Sequence, residues 1–147
     1  AFVFLMSGTE AKTTRAVLAL NGASATPILA SVDIFESKDE KTNSQLDGIE
    51  FLQMPWLLGK NNAANVFVSQ LKPLPSARSL SGSRLNAFGI DAWLISTHLQ
   101  AWLNNPNGTL NGASGNLHLE PNGTIERTLP WSIYRNGFPA TADGNQP

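Results

Sequence analysis

The stretch LDGIEFLQMPWLLG, Leu46 to Gly59, sets the reading of the whole chain. It opens as a strand, with Ile49 and Phe51 on one side and Glu50 between them. The phase then slips, so that Leu52 and Met54 are apolar on the opposite side. Pro55 removes a backbone donor, Trp56 to Leu58 add a large apolar load, and Gly59 ends the run. Neither an ordinary surface loop nor an ordinary strand has this pattern.

Upstream, Phe2 to Met6 is a near-continuous apolar run, which predicts a strand buried on both faces of a parallel sheet. Ser7 or Thr9 can cap a helix from about Glu10 to Leu20, with Val17 and Leu20 expected inward and Lys12 and Arg15 outward. Gly22 ends that helix, and Ile28 to Val32 forms a second short strand after Pro27. This β-α-β unit favours a parallel sheet with a right-handed crossover. Residues 33–48 are polar and turn-rich, with a short helix expected around Lys41 to Leu46.

Downstream, NNAANVFVSQL reads as a helix, and the Pro- and Ser-rich KPLPSARSLSGS leads to a cap at Ser83. The clearest element is a helix from Arg84 to about Leu103. Leu85, Phe88, Ala92, Ile95, Leu99 and Trp102 recur at spacings of three and four and predict its apolar face. Ile90, Trp93 and Leu94 make a second patch, so the helix is expected to be sandwiched or to meet a partner. The tail changes period. Leu117 and Leu119 alternate, Pro121 to Gly123 turns, and Ile125 resumes, which predicts a hairpin with a two-residue turn. Pro130 suggests an edge or a crossing, and PATADGNQP is expected to be loose.

Composition removes several function classes. The 147 residues suit one domain, 41% are hydrophobic and only 14% charged, so the chain can bury a core and is not of disordered type. Net charge is −1 and no basic cluster occurs, which argues against a nucleic-acid partner. No cysteine is present, so thiolate chemistry and Cys-ligated metal are excluded. No apolar run reaches the roughly 18 to 20 residues of a membrane span. AFVFLM opens as a strand, without a charged leader or a lipobox, and the chain is expected to be cut from something longer.

Catalytic signatures are missing. Asp91 and His98 share a helix azimuth, but seven residues separate them by roughly 10.5 Å along the axis, too far for a hydrogen bond. His118 points away from the face of Leu117 and Leu119, and no HExxH, GxSxG or metal-spaced cluster occurs. No enzyme activity, cofactor or metal is expected. Ser7, Gly8 and Thr9 lie at a strand-to-helix turn, where a helix N-terminus can hold an anion, although the P-loop spacing is absent and capping alone explains them. Trp56, Trp93, Trp102 and Trp131 are core candidates, but aromatics and Met beside proline are also enriched at interfaces.

In order, the β-α-β unit, DGIEFLQMPWLLG, RLNAFGIDAWLISTHL and LNGASGNLHLEPNGTIERTLPWSIYRNG resemble the C-terminal portion of a type I periplasmic-binding-protein fold. Gly89, Asp91 and Ala92 match its G-x-D-A helix; Gly112, Gly115, Leu117, Leu119 and Gly123 match its hairpin. More narrowly, Met54 to Leu58 and R-x-L-x-W-x-x-Y-x-x-G at Arg127 to Gly137 resemble the LppC/LpoA family of outer-membrane lipoproteins.

The resemblance implies an α/β fold of two parallel-sheet lobes joined by crossing strands, with only the later part of the bilobed domain present. Residues 1–50 would belong to one lobe and 51–125 to the other, with a crossing near 49–56; residues 126–147 would hold the return crossing and tail. A segment leaving one sheet for another must change its buried face, which accounts for the phase slip. Met54, Pro55, Trp56, Pro130 and Trp131 then become hinge or interaction residues. The implied role is non-enzymatic: binding and activation of a class A penicillin-binding protein, and so stimulation of peptidoglycan synthesis. The implied place is the periplasm, associated with the outer membrane through a lipid anchor outside this stretch. Half of a bilobed domain also exposes apolar faces through which it can pair with itself or with the missing segment. The alternative is a receptor for a small amino-acid-like solute, held by Ser7, Gly8, Thr9, Ser31 and Asp33.

Overall fold

The computed structural model describes residues 1–36, 43–59, 80–105 and 108–142. The helix expected at NNAANVFVSQL lies outside them, as does the start of the one expected near Lys41. The chain divides into two compact units, Ala1–Gln53 with Trp131–Pro147, and Met54–Pro130.

In the first unit, strand β1 (Phe2–Phe4), helix α1 (Gly8–Leu20), β2 (Ile28–Ala30) and β3 (Glu50–Leu52) follow in order, with 3₁₀ turns at Val32–Ile34 and Ser44–Leu46. The chain returns as β7 (Trp131–Arg135) and β8 (Phe138–Thr141). The sheet order is β1-β2-β3-β7-β8; the first three strands are parallel, and β7 and β8 are antiparallel additions. Register places Phe4, Ala30, Phe51 and Ser132 in one row, and all four are buried. Phe51 stacks on Tyr134 at 4.8 Å between ring centroids and on Phe35 at 6.4 Å, and Ile34, Leu46 and Ile49 complete this core.

The other row contains Val3, which is 66% exposed, and Leu5 beyond it is 80% exposed. The expectation that β1 is buried on both faces is therefore corrected: β1 is the terminal strand of this sheet and only the row of Phe4 is covered. The inward face of α1 is corrected too. Gly8, Ala11 and Arg15, spaced three and four apart, face the 3₁₀ turns, and the Arg15 guanidinium donates to the carbonyls of Gln45 and Asp47. Those bonds fix the helix's rotation and leave Val17 and Leu20 exposed.

PATADGNQP is not wholly loose. Phe138–Thr141 pairs with β7 through a two-residue turn, in which Asn136 and Gly137 take φ of 53° and 77°. The Gly137 N–H donates to the Asp47 carboxylate at 2.8 Å, tying the hairpin to the segment before β3.

The second unit holds α2 (Pro55–Leu58), α3 (Leu80–Asn104), β4 (Thr109–Asn111), β5 (Asn116–Leu119) and β6 (Ile125–Thr128). Its described strands form a three-stranded sheet, β4-β5-β6, antiparallel throughout, where a parallel lobe was expected. Short connections between consecutive strands permit only that pairing. The predicted hairpin is β5-β6, but its connection runs from Glu120 to Thr124, longer than a two-residue turn, with Gly123 at φ 85°. Trp102, Leu117 and Leu119 form one core cluster, with Ile95, Leu110 and Ile125 packed against them. β6 pairs with β5 through Thr128, and this unit extends to Pro130.

Tyr134 tests how the first unit's core tolerates polarity. Its hydroxyl is buried without a hydrogen-bond partner among the described residues. Burial first, and the Glu36 charge second, push the phenol up from its ordinary 10.0. Ionisation favours the unfolded chain, so stability holds below pH 10.0 and falls as pH rises above it. As the chain's one tyrosine, Tyr134 can be followed by its near-ultraviolet absorbance. Tyr134→Phe should remove the alkaline loss and leave neutral stability unchanged or slightly raised, whereas Phe51→Ala should cost about 3–5 kcal/mol in urea unfolding.

Candidate functional site

The residues predicted for a solute site lie in the first unit, at the carboxyl ends of β1 and β2. Ser7 is the N-cap of α1 in a complete capping box: Glu10 accepts from the Ser7 amide at 2.9 Å and from its hydroxyl at 2.7 Å. The Ser7 bonds hold the Glu10 carboxyl below its ordinary 4.5. Gly8 is buried, and a Cβ there would stand 2.6 Å from the Ile34 carbonyl oxygen and 3.2 Å from Glu36 Oε2. Thr9 donates its hydroxyl to that same Glu36 oxygen at 3.0 Å. Ser31 donates its amide to the Phe4 carbonyl, and its hydroxyl lies 3.4 Å from Asp33 Oδ2. The turn before α1 is thus engaged by two of the chain's own carboxylates, a use of Glu36 that its position in ESKDEK does not reveal.

The predicted junction residues fall on two different elements. Met54 is buried, Pro55 is the first residue of α2 and Trp56 follows it in the second unit; Pro130 closes that unit. Trp131 begins β7, pairs with Leu52 across the sheet of the first unit and is 43% exposed. Trp93 on α3 is 51% exposed, and Trp102 is the buried tryptophan, its indole N–H donating to the Gly108 carbonyl at 2.7 Å. Among the described residues no group of three or more His, Asp or Glu could hold a metal ion, and no helix is long and apolar enough to cross a membrane.

Asp91 is the residue whose role the sequence concealed. It is buried, and its carboxylate accepts from the Ala113 amide at 2.5 Å, the Ser114 amide at 2.9 Å and the Ser114 hydroxyl at 2.5 Å. Those bonds set the rotation of α3. Ala87 and Leu94, four and three residues from Asp91, are buried with it, as is the adjacent Ile90. The face expected to be buried is instead mostly open, with Leu85 at 68%, Phe88 at 45% and Leu99 at 41% exposure. Arg127 lies over the Phe88 ring at 5.0 Å. Asp91 and Gly112 were legible as motif positions; their contact was not.

With this geometry in view, comparison with known proteins is decisive at the level of family. The family model "LppC putative lipoprotein" matches residues 1–137. The chain belongs to the LppC family. A penicillin-binding protein activator LpoA from Pectobacterium parmentieri is 36% identical over 94 residues, 63% of this chain and 13% of that protein. An LpoA from Yersinia pseudotuberculosis is 33% identical over 94 residues, 64% of this chain and 14% of its own length. The chain therefore spans a small fraction of the relatives it matches. Among solved structures, the LpoA (YraM) C-domain from Haemophilus influenzae, described as a regulator of PBP1A, superposes with a TM-score of 0.73 at 24% identity. The match covers 95% of this chain and 43% of that one. The leucine binding protein LivK from Thermotoga maritima superposes at 0.54 and 20% identity, over 95% of this chain and 42% of its own. The fold is accordingly that of the LpoA C-domain and of type I periplasmic binding proteins, mixed α/β with an open mixed sheet.

Two outcomes test the local geometry. A Cβ at Gly112 would lie 2.7 Å from Asp91 Oδ1. Gly112→Ala should therefore cost about 1–3 kcal/mol in chemical denaturation, as overpacking against a buried group does. In an NMR pH titration, the Glu10 carboxyl should show a midpoint below 4.5 that returns toward it in Ser7→Ala. The capping contribution is present above 4.5 and lost as pH falls through the depressed midpoint.

Proposed function

We propose that this chain is part of the partner-binding domain of a non-enzymatic activator, which engages a class A penicillin-binding protein and stimulates peptidoglycan synthesis. The observation that carries the reading is the family match over residues 1–137, joined to relatives named penicillin-binding protein activators. The parent protein works in the periplasm, associated with the outer membrane through a lipid anchor outside this stretch. Its contacts with the synthase draw on exposed aromatic and apolar side chains, for which Trp93 and Trp131 are candidates in their respective units. Met54, Pro55 and Pro130 serve as hinge residues where the chain passes between the units.

The likeness of fold to a leucine binding protein favours a second reading, a receptor for an amino-acid-like solute using Ser7, Gly8, Thr9, Ser31 and Asp33. The engagement of Thr9 by Glu36 and of Ser7 by Glu10 weighs against it, since both polar groups already have partners. One pair of experiments separates the readings. The parent protein, titrated against a purified class A synthase, should bind it and raise its glycan-polymerising or cross-linking rate, and Trp131→Ala and Trp93→Ala should weaken binding. A hot-spot aromatic would cost about 2 kcal/mol or more, roughly thirtyfold in Kd. Absence of binding, together with a thermal shift from an amino acid, would transfer the assignment to the receptor; a ligand at about a hundred times its Kd adds about 2.7 kcal/mol.

A further inference from the structure

Where the chain arrives in the second unit, several hydrogen bonds converge on one peptide. Leaving β3 at Leu52, the chain passes Gln53 and Met54 and begins α2 at Pro55. The Trp56 amide then donates to the Ala113 carbonyl at 3.0 Å. The amide of that same Ala113 donates to Asp91 Oδ1, and the next residue, Ser114, gives both its amide and its hydroxyl to Asp91 Oδ2. The Ala113 residue is thus held from both sides, by the middle of α3 through its N–H and by the arriving chain through its C=O. Gly112 lies so close to the carboxylate that no side chain fits between them. Met54, Ala113 and Ser114 are all buried.

We infer that Asp91 is a positioning residue for the segment that enters the second unit: through Ala113 it fixes the path of Met54–Trp56. The physical basis is the number and kind of bonds. A carboxylate accepting two amides and a hydroxyl in a buried setting holds its loop more stiffly than neutral contacts would. At the other passage, β6 is paired through Thr128 and β7 from Trp131, leaving Leu129 and Pro130 between the paired segments. The inference stands on bonds within the second unit and does not depend on which partner the parent protein engages.

The test is Asp91→Asn in the 147-residue chain. An asparagine presents an amide N–H₂ where a carboxylate oxygen accepted, so at least one of the loop donors faces another donor. Hydrogen exchange should rise about ten- to hundredfold at Ala113 and Ser114 and also at Trp56, with the β5-β6 amides unchanged. Circular dichroism should stay native in Asp91→Asn, and a purely local cap would leave the Trp56 amide unmoved. Faster exchange at Ala113 and Ser114 without any change at Trp56 would overturn the inference. If Asp91→Asn does not fold, Ser114→Ala removes the hydroxyl bond alone. It should then shift Trp56 exchange in the same direction by less, and no shift there would count equally against the role.

Discussion

The antiparallel pairing of β3 with β7 is the constraint from which the organisation follows. Leu52 is the last residue of β3 and Trp131 the first of β7, and the two are partners. The chain therefore leaves the first unit and re-enters it at one place in the sheet, and everything from Met54 to Pro130 is an excursion between paired residues. The pairing also builds the core, since it brings Ser132 beside Phe51 and lets Tyr134 stack on that ring. Without it, β3 would be an edge and the first unit would lose two of its five strands.

A second constraint operates within the excursion. Helix α3 carries two apolar stripes of comparable strength, and hydrophobicity alone does not choose between them. Its polar residue does. Burying a carboxylate is tolerable only with donors around it, and the loop of Gly112–Ser114 supplies three. Once Asp91 faces inward, Ala87, Ile90 and Leu94 are carried in and Leu85, Phe88 and Leu99 are left out. The same rule governs α1 on a smaller scale, where Arg15's reach to Gln45 and Asp47 outranks Val17 and Leu20.

These two helices show why the sequence was legible in part. The β-α-β unit, the long helix, the β5-β6 hairpin and the phase slip before Met54 all rest on local signals: periodicity, capping and Asn-Gly pairs. The strand in the tail carries such a signal in Asn136–Gly137, set between WSIYR and FPAT, but Pro139 and the polar residues after Thr141 obscure it. Which side of a helix faces inward is not local information. It depends on Asp91 meeting residues 22 and 23 positions away, and nothing in RLNAFGIDAWL announces that meeting. The candidate site divides likewise. Ser7 was readable as a cap, whereas Glu36, 27 residues from Thr9, reaches it only through the fold.

A common chemistry runs through these cases. With only 14% of its residues charged, the chain uses its acids as acceptors for the backbone and for hydroxyls. Glu10 takes the Ser7 amide, Asp47 the Gly137 amide, Glu36 the Thr9 hydroxyl, and Asp91 two amides and a hydroxyl. Each bond fixes a turn that would otherwise keep conformational freedom. Side chains engaged in this way are poor candidates for catalysis or for gripping a solute, because freeing them would loosen the turn they hold. The large apolar side chains at the surface include Leu85, Phe88, Trp93 and Leu99 in one unit and Val3, Trp131 and Phe138 in the other. Unlike the engaged acids, these side chains can be covered without loosening any turn.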